Sequence, residues 1–284
     1  MTESLDEGQS LPHAPRRRAL LRRVVAAILI LALVYVGVAY VLLPAYWRRH
    51  ERQSGLDALP MTTVTALGLP GDALNVGLEG SQADVVCAMV GAGWSPADPV
   101  TLKSSLEITG SVIFDRPYAR APVSPLFYQG RREDLAFEKA AGRSADTRHH
   151  IRLWKVLNAG DDGLPVWLGA ATFDRGVGLS RYTGQITHHI GPDIDAERDL
   201  VSDDLAAAGK VDAVYETPGV EPSLTLRNGG GDPYYTDGEI RFSILTPGCD
   251  SHNLQPIVLP NPPAIEARNW VWRKIVAPLA ALFH

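Results

Sequence analysis

Residues Val24 to Leu43, VVAAILILALVYVGVAYVLL, form a run of twenty residues with no charge and no strongly polar side chain. At about 1.5 Å rise per residue such a run reaches roughly 30 Å as a helix, the depth of a bilayer's hydrocarbon core. Only a helix satisfies its own backbone there without neighbours. Tyr35, Tyr40, Tyr46 and Trp47 are placed partly like interface residues, and Pro44 is placed to end the helix where the apolar run stops. Arg16, Arg17, Arg18, Arg22 and Arg23 precede the run, and Arg48, Arg49 and Arg52 follow it. That bias predicts a cytoplasmic N-terminus with the bulk of the chain outside the cytoplasm. A cleaved signal peptide is the competing reading, with Gly37-Val38-Ala39 as its cleavage site. The run continues through Leu43, which fits an uncleaved anchor better. Arg17-Arg18-Ala19-Leu20-Leu21 bears only a weak likeness to a twin-arginine export signal.

Of the 27 basic and 32 acidic residues in the chain, eight Arg and four acids lie before residue 57, leaving 19 basic and 28 acidic groups in the remainder. An acidic domain repels phosphate backbones, so nucleic acid is not expected as a partner. The two cysteines, Cys87 and Cys249, are too few for a disulfide framework. Cys87 lies within an apolar helical pattern and reads first as a buried free thiol. A single bridge in an oxidising compartment is the alternative.

The pattern divides the chain into a basic tail (1–23), the anchor (24–43), a linker (44–72), a folded domain (73–255) and a Pro-rich connection with a C-terminal helix (256–284). Asn75 to Leu78 reads as a strand, followed by a helix that Ser81 caps and Gly91 stops. Ser105 to Phe114 could be helix or strand, and residues 138 to 147 read as a mobile loop. The clearest strand places His150, Arg152 and Trp154 on one face and Ile151 and Leu153 on the other. Asp161-Asp162-Gly163 turns it into an apolar return from Val166 to Phe173, which Asp174-Arg175-Gly176 leaves as a turn. Gln185 to Ile190 is a further short strand. Asp193 or Asp195 then caps a helix reaching Ala208, with Gly209 as its stop. Val211 to Tyr215 and Ile240 to Leu245 complete the strands. Hairpins dominate over helices, which predicts an α+β domain with a mixed or largely antiparallel sheet and packed helices, preceded by one transmembrane helix. No Walker loop, no Rossmann glycine fingerprint and no nucleophile elbow is present. The last segment carries Trp270, Trp272, Arg273 and Lys274 ahead of IVAPLAALF. It is too short to span a bilayer but suited to lie at its interface, or else to pack on the domain.

Two histidine pairs, His149-His150 and His188-His189, stand out among eight histidines, and the second is followed by Asp193, Asp195, Glu197 and Asp199. Imidazole and carboxylate are good ligands for zinc and other divalent metals. Neighbours on a strand point oppositely, so each pair offers one histidine to a given cleft. The candidate metal ligands are His150, His189 and Asp193. Glu197 or Asp195 would serve as a base for metal-bound water, and Arg198, with Arg175, as a cation for an anionic substrate. The same acidic residues have a purely structural reading: Asp193 or Asp195 caps the helix and Glu197 complements its dipole. Ser124 and Ser180 show no base partner in the pattern.

The stretch from Asn75 to about Leu205 resembles the LssY C-terminal domain family. The matching pieces are Gly91-Ala92-Gly93-Trp94, Phe114-Asp115-Arg116-Pro117-Tyr118, Ala121 to Leu126 (APVSPL), Gly130 to Phe137 (GRREDLAF), His149 to Trp154 (HHIRLW), Val166 to Asp174 (VWLGAATFD), and His188-His189-Ile190 with Pro192 to Asp199. The resemblance implies a bacterial, membrane-associated setting and raises the expectation of lipid-linked work. Family members are sometimes joined to multi-span modules resembling DedA or lipid phosphatases, whereas this chain has one convincing span. The resemblance names no reaction and transfers no catalytic residue. Two functions follow as expectations. The first is a plasma-membrane protein with an extracytoplasmic domain that binds a lipid, a glycan or an envelope protein. The second is a metal-dependent hydrolase of an ester or phosphoester near the membrane.

Overall fold

The computed structural model describes residues 14–48, 53–97, 125–142 and 147–283, and the chain separates into two units, Met1–Glu51 and Arg52–His284. Ser105 to Phe114, Ser124 and the segment around Pro117 and Pro122 lie outside the described residues.

In the first unit α1 (Ala14–Gly37) runs through a single π turn, Val38–Leu42, into α2 (Leu43–Arg48). Ala19–Leu42 is long and apolar enough to cross a membrane, and its large apolar side chains are exposed. Pro44 does not end the helix. A proline removes one backbone donor and crowds the carbonyl four residues back. The wider turn immediately before it, closed by Leu43 N–H to the Val38 carbonyl, lets the helix continue.

The second unit is built on a nine-stranded sheet. Its strands are β3 (Val76–Glu79), β4 (Ser95–Pro96), β6 (Leu135–Ala140), β7 (Arg148–Leu157), β8 (Val166–Leu179), β9 (Ile186–Ile190), β10 (Val211–Pro218), β13 (Glu239–Leu245) and β14 (Ile257–Val258). The order is β14-β10-β13-β3-β8-β7-β6-β4. Only β14 on β10 and β13 on β3 are parallel. β8 is the spine: β7 pairs along one stretch of it, β3 with Val166–Gly169 and β9 with Asp174–Leu179. A three-stranded sheet, β2-β1-β5, is made by β1 (Thr62–Thr65), β2 (Pro70–Ala73) and β5 (Leu126–Phe127). A separate hairpin pairs β11 (Ser223–Arg227) with β12 (Pro233–Thr236).

One face of the large sheet is covered by α3 (Gln82–Gly91) and α4 (Ile194–Ala207). Val85 and Met89 of α3 and Val201 and Leu205 of α4 meet Leu78, Phe137, Ile151 and Trp167. Ser81 and Asp84 form a reciprocal capping box that starts α3, and Asp193 accepts from Ala196 N–H to start α4. Gly209, at φ +66°, ends α4 in the left-handed region that a glycine takes without a Cβ penalty. On the opposite face Leu74, Trp154, Leu168 and Phe242 pack with Leu56, Leu126 and Tyr128, so the small sheet lies on this side.

The fold is the α+β architecture expected, with local departures. Much of the expected linker is structured: β1 and β2 fall within it, and Gln53, Leu56 and Thr63 are buried. Residues 138 to 140 belong to β6 rather than to a loop. β8 continues through Asp174-Arg175-Gly176, where a bulge instead of a turn shifts its register to β9. Cys87 and Cys249 are joined in a disulfide with Cα atoms 5.6 Å apart, in place of the buried thiols expected. The apolar pattern of α3 had favoured a thiol, but position 87 sits at the edge of that stripe and faces the exposed turn at Cys249. The C-terminal segment forms α5 (Pro263–Val271), a π turn at Trp272–Val276 and α6 (Ala277–Ala280). It is held to the domain by Trp272 Nε1–H donating to Asp195 (3.1 Å) and by the buried Asn269. Trp270, Ile275, Leu279, Leu282 and Phe283 remain exposed.

Candidate functional site

β7 is covered on both faces, yet alternate residues carry charge. Ile151 and Leu153 turn to the helices, and Arg148, His150, Arg152 and Trp154 turn to the other side. A charged or ionisable side chain in a buried strand costs several kcal/mol unless it is paired or used. The gap between this face of the large sheet and the β1–β2 turn accounts for the pattern. It is an open cavity of about 130 Å³, lined by Asp72, His150, Arg152, Thr172, Asp174 and His188, with Ser180 and the Asn228–Gly230 turn at its rim.

Charges in this cavity are unevenly paired. Arg148 lies behind the lining and holds Asp174 through Nε (3.1 Å) and Glu138 through Nη1 (2.9 Å), with His188 Nε2 at 3.4 Å from its Nη2. Arg152 has one ion-pair partner, Asp72, at 3.6 Å, and its guanidinium makes no hydrogen bond among the described residues. It is nevertheless only 6% exposed. His150 and Thr172 are equally buried and also make no side-chain hydrogen bond there. Burial, followed by the positive charges of Arg152 and Arg148 and by His188, holds the His150 imidazole well below its ordinary range, so it is neutral. Burial pushes the Asp72 carboxyl up, against the opposing pull of Arg152.

The residues singled out from sequence are not brought together. His150 lines the cavity; His189 does not, and its Nδ1 lies 2.8 Å from the fully buried Asp232. Asp193 caps α4 and accepts from Tyr235 Oη–H at 3.1 Å. No group of three His, Cys, Asp or Glu side chains among the described residues is arranged to hold a metal ion. A histidine does meet Glu197, but it is His149, at 2.8 Å and on the helix side against Trp94 and Phe173. Burial raises Glu197, opposed by its bond to His149. Asp195 accepts from Thr236 Oγ1–H (2.6 Å) and Asp237 N–H (2.7 Å), and burial, reinforced by the Asp237 charge, raises it to about 7. Arg198 is 1% exposed and grips Asp237 with both terminal nitrogens, at 2.6 and 3.1 Å. Asp195, Glu197 and Arg198 thus lock α4 to its neighbours and do not line this cavity. Arg175 is exposed, and the Ser180 hydroxyl is occupied by turn amides of Tyr182 and Thr183.

Sequence reasoning missed Arg152, Asp72, Thr172 and Asn228 as site residues. One signal was available: Arg148, His150 and Arg152 recur at period two in a strand that also carries the apolar Ile151, Leu153, Trp154, Val156 and Leu157. Nothing local pointed to Asp72 or Asn228, which reach Arg152 and one another from strands and turns far along the chain.

Comparison with curated proteins finds no match, and neither does comparison with solved structures. The family described as the LssY C-terminus matches residues 56–240, a span that takes in β1 to β12 and every residue lining the cavity. On that match the chain belongs to the LssY C-terminal family.

Proposed function

We propose that this protein is a binding domain held at a bacterial plasma membrane by its N-terminal helix, and that it takes the polar part of a lipid or glycan into the cavity beside β7. One observation carries the reading. His150, Arg152 and Thr172 are largely buried at the cavity wall and make no side-chain hydrogen bond among the described residues. Their polar atoms are not sealed from solvent, so their donors and acceptors stay available at the opening to a ligand that enters. The cytoplasmic N-terminus and extracytoplasmic domain draw support from the arginine bias around the apolar run and from the Cys87–Cys249 bridge, which persists in oxidising compartments. Exposed Trp270, Leu282 and Phe283, with Arg273 and Lys274 beside them, suit contact with the bilayer surface.

The test is native mass spectrometry of the full chain purified in a mild sugar detergent, followed by identification of released molecules. Thr172→Phe fills the cavity from its wall. The expected result is a lipid or glycan that accompanies the wild-type chain and is lost from the folded variant. Equal retention by the two proteins would refute the cavity as the binding site.

A further inference from the structure

Arg152 stands apart from the other buried cations. Arg198 is saturated by carboxylates and by the Glu239 carbonyl, and Arg148 divides its nitrogens between Glu138 and Asp174. Arg152 is as deeply buried as the carboxylates around it, yet among the described residues its one ion-pair partner is a carboxylate beyond hydrogen-bond distance. A guanidinium carries five N–H donors in a fixed fork suited to two oxygens of one group. The fork is not sealed from the opening, so its donors are available to a group that enters the cavity.

The remaining cavity groups fit the same guest. His150 and Thr172 add uncommitted polar atoms next to Arg152 on neighbouring strands, since His150 pairs with Thr172 and Arg152 with Ala170 in the β7–β8 register. Two carboxylates also face the space and count against an anion. Asp174 accepts from Arg148 Nε at 3.1 Å and shares that one cation with Glu138, so part of its charge stays uncompensated. Asp72 is the residue whose burial favours its protonated, donor form, and it is tied to the Asn228 side chain. What favours an anion is not net charge but geometry: Arg152 is the cation at the wall whose donors no carboxylate within hydrogen-bond distance takes up among the described residues. The cavity has room for a headgroup-sized fragment.

We propose that Arg152, with His150 and Thr172, forms an anion subsite that takes a phosphate-class group of the ligand. The inference rests on the cavity reading above and adds the chemistry of what enters it. The shared chemistry is a phosphate ester or phosphate ion, whether carried by a lipid headgroup or by a soluble molecule. Bidentate binding to the Arg152 fork supplies the missing acceptors, and the displaced Asp72 keeps its Asn228 contact.

The experiment uses the full chain in a phosphate-free sugar detergent, titrated with inorganic phosphate by calorimetry. Arg152→Gln leaves Asp72 without its cation, so the double variant Arg152→Gln/Asp72→Asn is measured beside it, with thermal unfolding as a check on folding. At least a tenfold loss of phosphate affinity is expected in the folded double variant. A second arm places the chain in nanodiscs of a neutral galactolipid with or without phosphatidylglycerol. Competition between that lipid and inorganic phosphate identifies a headgroup as the guest, and undiminished phosphate binding identifies a soluble phosphate. If neither phosphate nor phosphatidylglycerol binds in an Arg152-dependent way, the anion subsite is wrong. Should Thr172→Phe then still expel a co-purified neutral molecule, the cavity reading stands without it. If Thr172→Phe expels nothing either, both fall.

Discussion

The two faces of the large sheet handle buried charge in opposite ways. On the helix side the buried networks are closed: His149 pairs with Glu197, Arg198 with Asp237 and Asp199, and Asp195 with Thr236, Trp272 and the Asp237 amide. On the cavity side Arg152 and His150 are as deeply buried but under-bonded. Because adjacent residues of a strand point oppositely, one histidine pair serves both regimes: His149 is paired with Glu197 and His150 faces open space. A polar cluster that satisfies itself has done its work by folding. One that does not is fitted for a guest, and that difference, more than residue type, separates structure from site here.

The contrast can be broken first at Arg198. Arg198→Leu strands Asp237 and Asp195 in the interior and is expected to lower unfolding free energy by about 3–5 kcal/mol in urea titrations. At a temperature where the variant remains folded, ligand retention should be unaltered. A variant that unfolds normally but loses ligand would place this network in the site instead. The next largest effect is in pH dependence, where the two faces have opposite signs. His150 is held neutral in the fold, so the unfolded chain binds the extra proton. Its contribution is present above about pH 6.5 and is lost as pH falls below that, with a limiting slope of about 1.4 kcal/mol per unit. Asp195 is raised to about 7, so its contribution is full below the unfolded carboxylate range and is lost as pH rises through about 7. In unfolding curves collected from pH 5 to 8, His150→Gln should therefore remove a rise in stability with pH below about 6.5, and Asp195→Asn should remove a fall in stability with pH that ends near 7. Identical profiles for the two variants would show that the faces do not differ. The smallest effect is expected at the α4 cap, where Asp193→Ala should cost about 1 kcal/mol. Its metal content and ligand retention should match the wild type, and metal lost with Asp193 would restore the ligand set drawn from sequence.

Local order was legible and convergence was not. The apolar run, the caps at Ser81 and Asp193, the Gly209 stop and the alternation along β7 each depend on spacing within a few residues, and each is where the sequence puts it. The β1–β2 hairpin escaped notice because Pro70-Gly71-Asp72-Ala73 lacks strand composition and gains its burial from Thr63 and Leu126. The histidine and carboxylate cluster looked like a site because its members are close in sequence. The strand and the helix then sent them to different partners. Arg152 meets Asp72 across 80 residues of chain, a pairing created by β2 crossing over β7, and no short-range pattern announces it.

The disulfide has a consequence for durability. Cys87 and Cys249 are separated by 162 positions, and the closed circuit between them includes β7, β8, β9 and the Asn228 turn. A protease that nicks any exposed bend inside that circuit, such as the one at Arg181–Gly184, leaves both fragments covalently attached. The walls contributed by those strands stay together after such a cut, whereas a cut beyond Cys249 frees the tryptophan-bearing tail from the covalent frame.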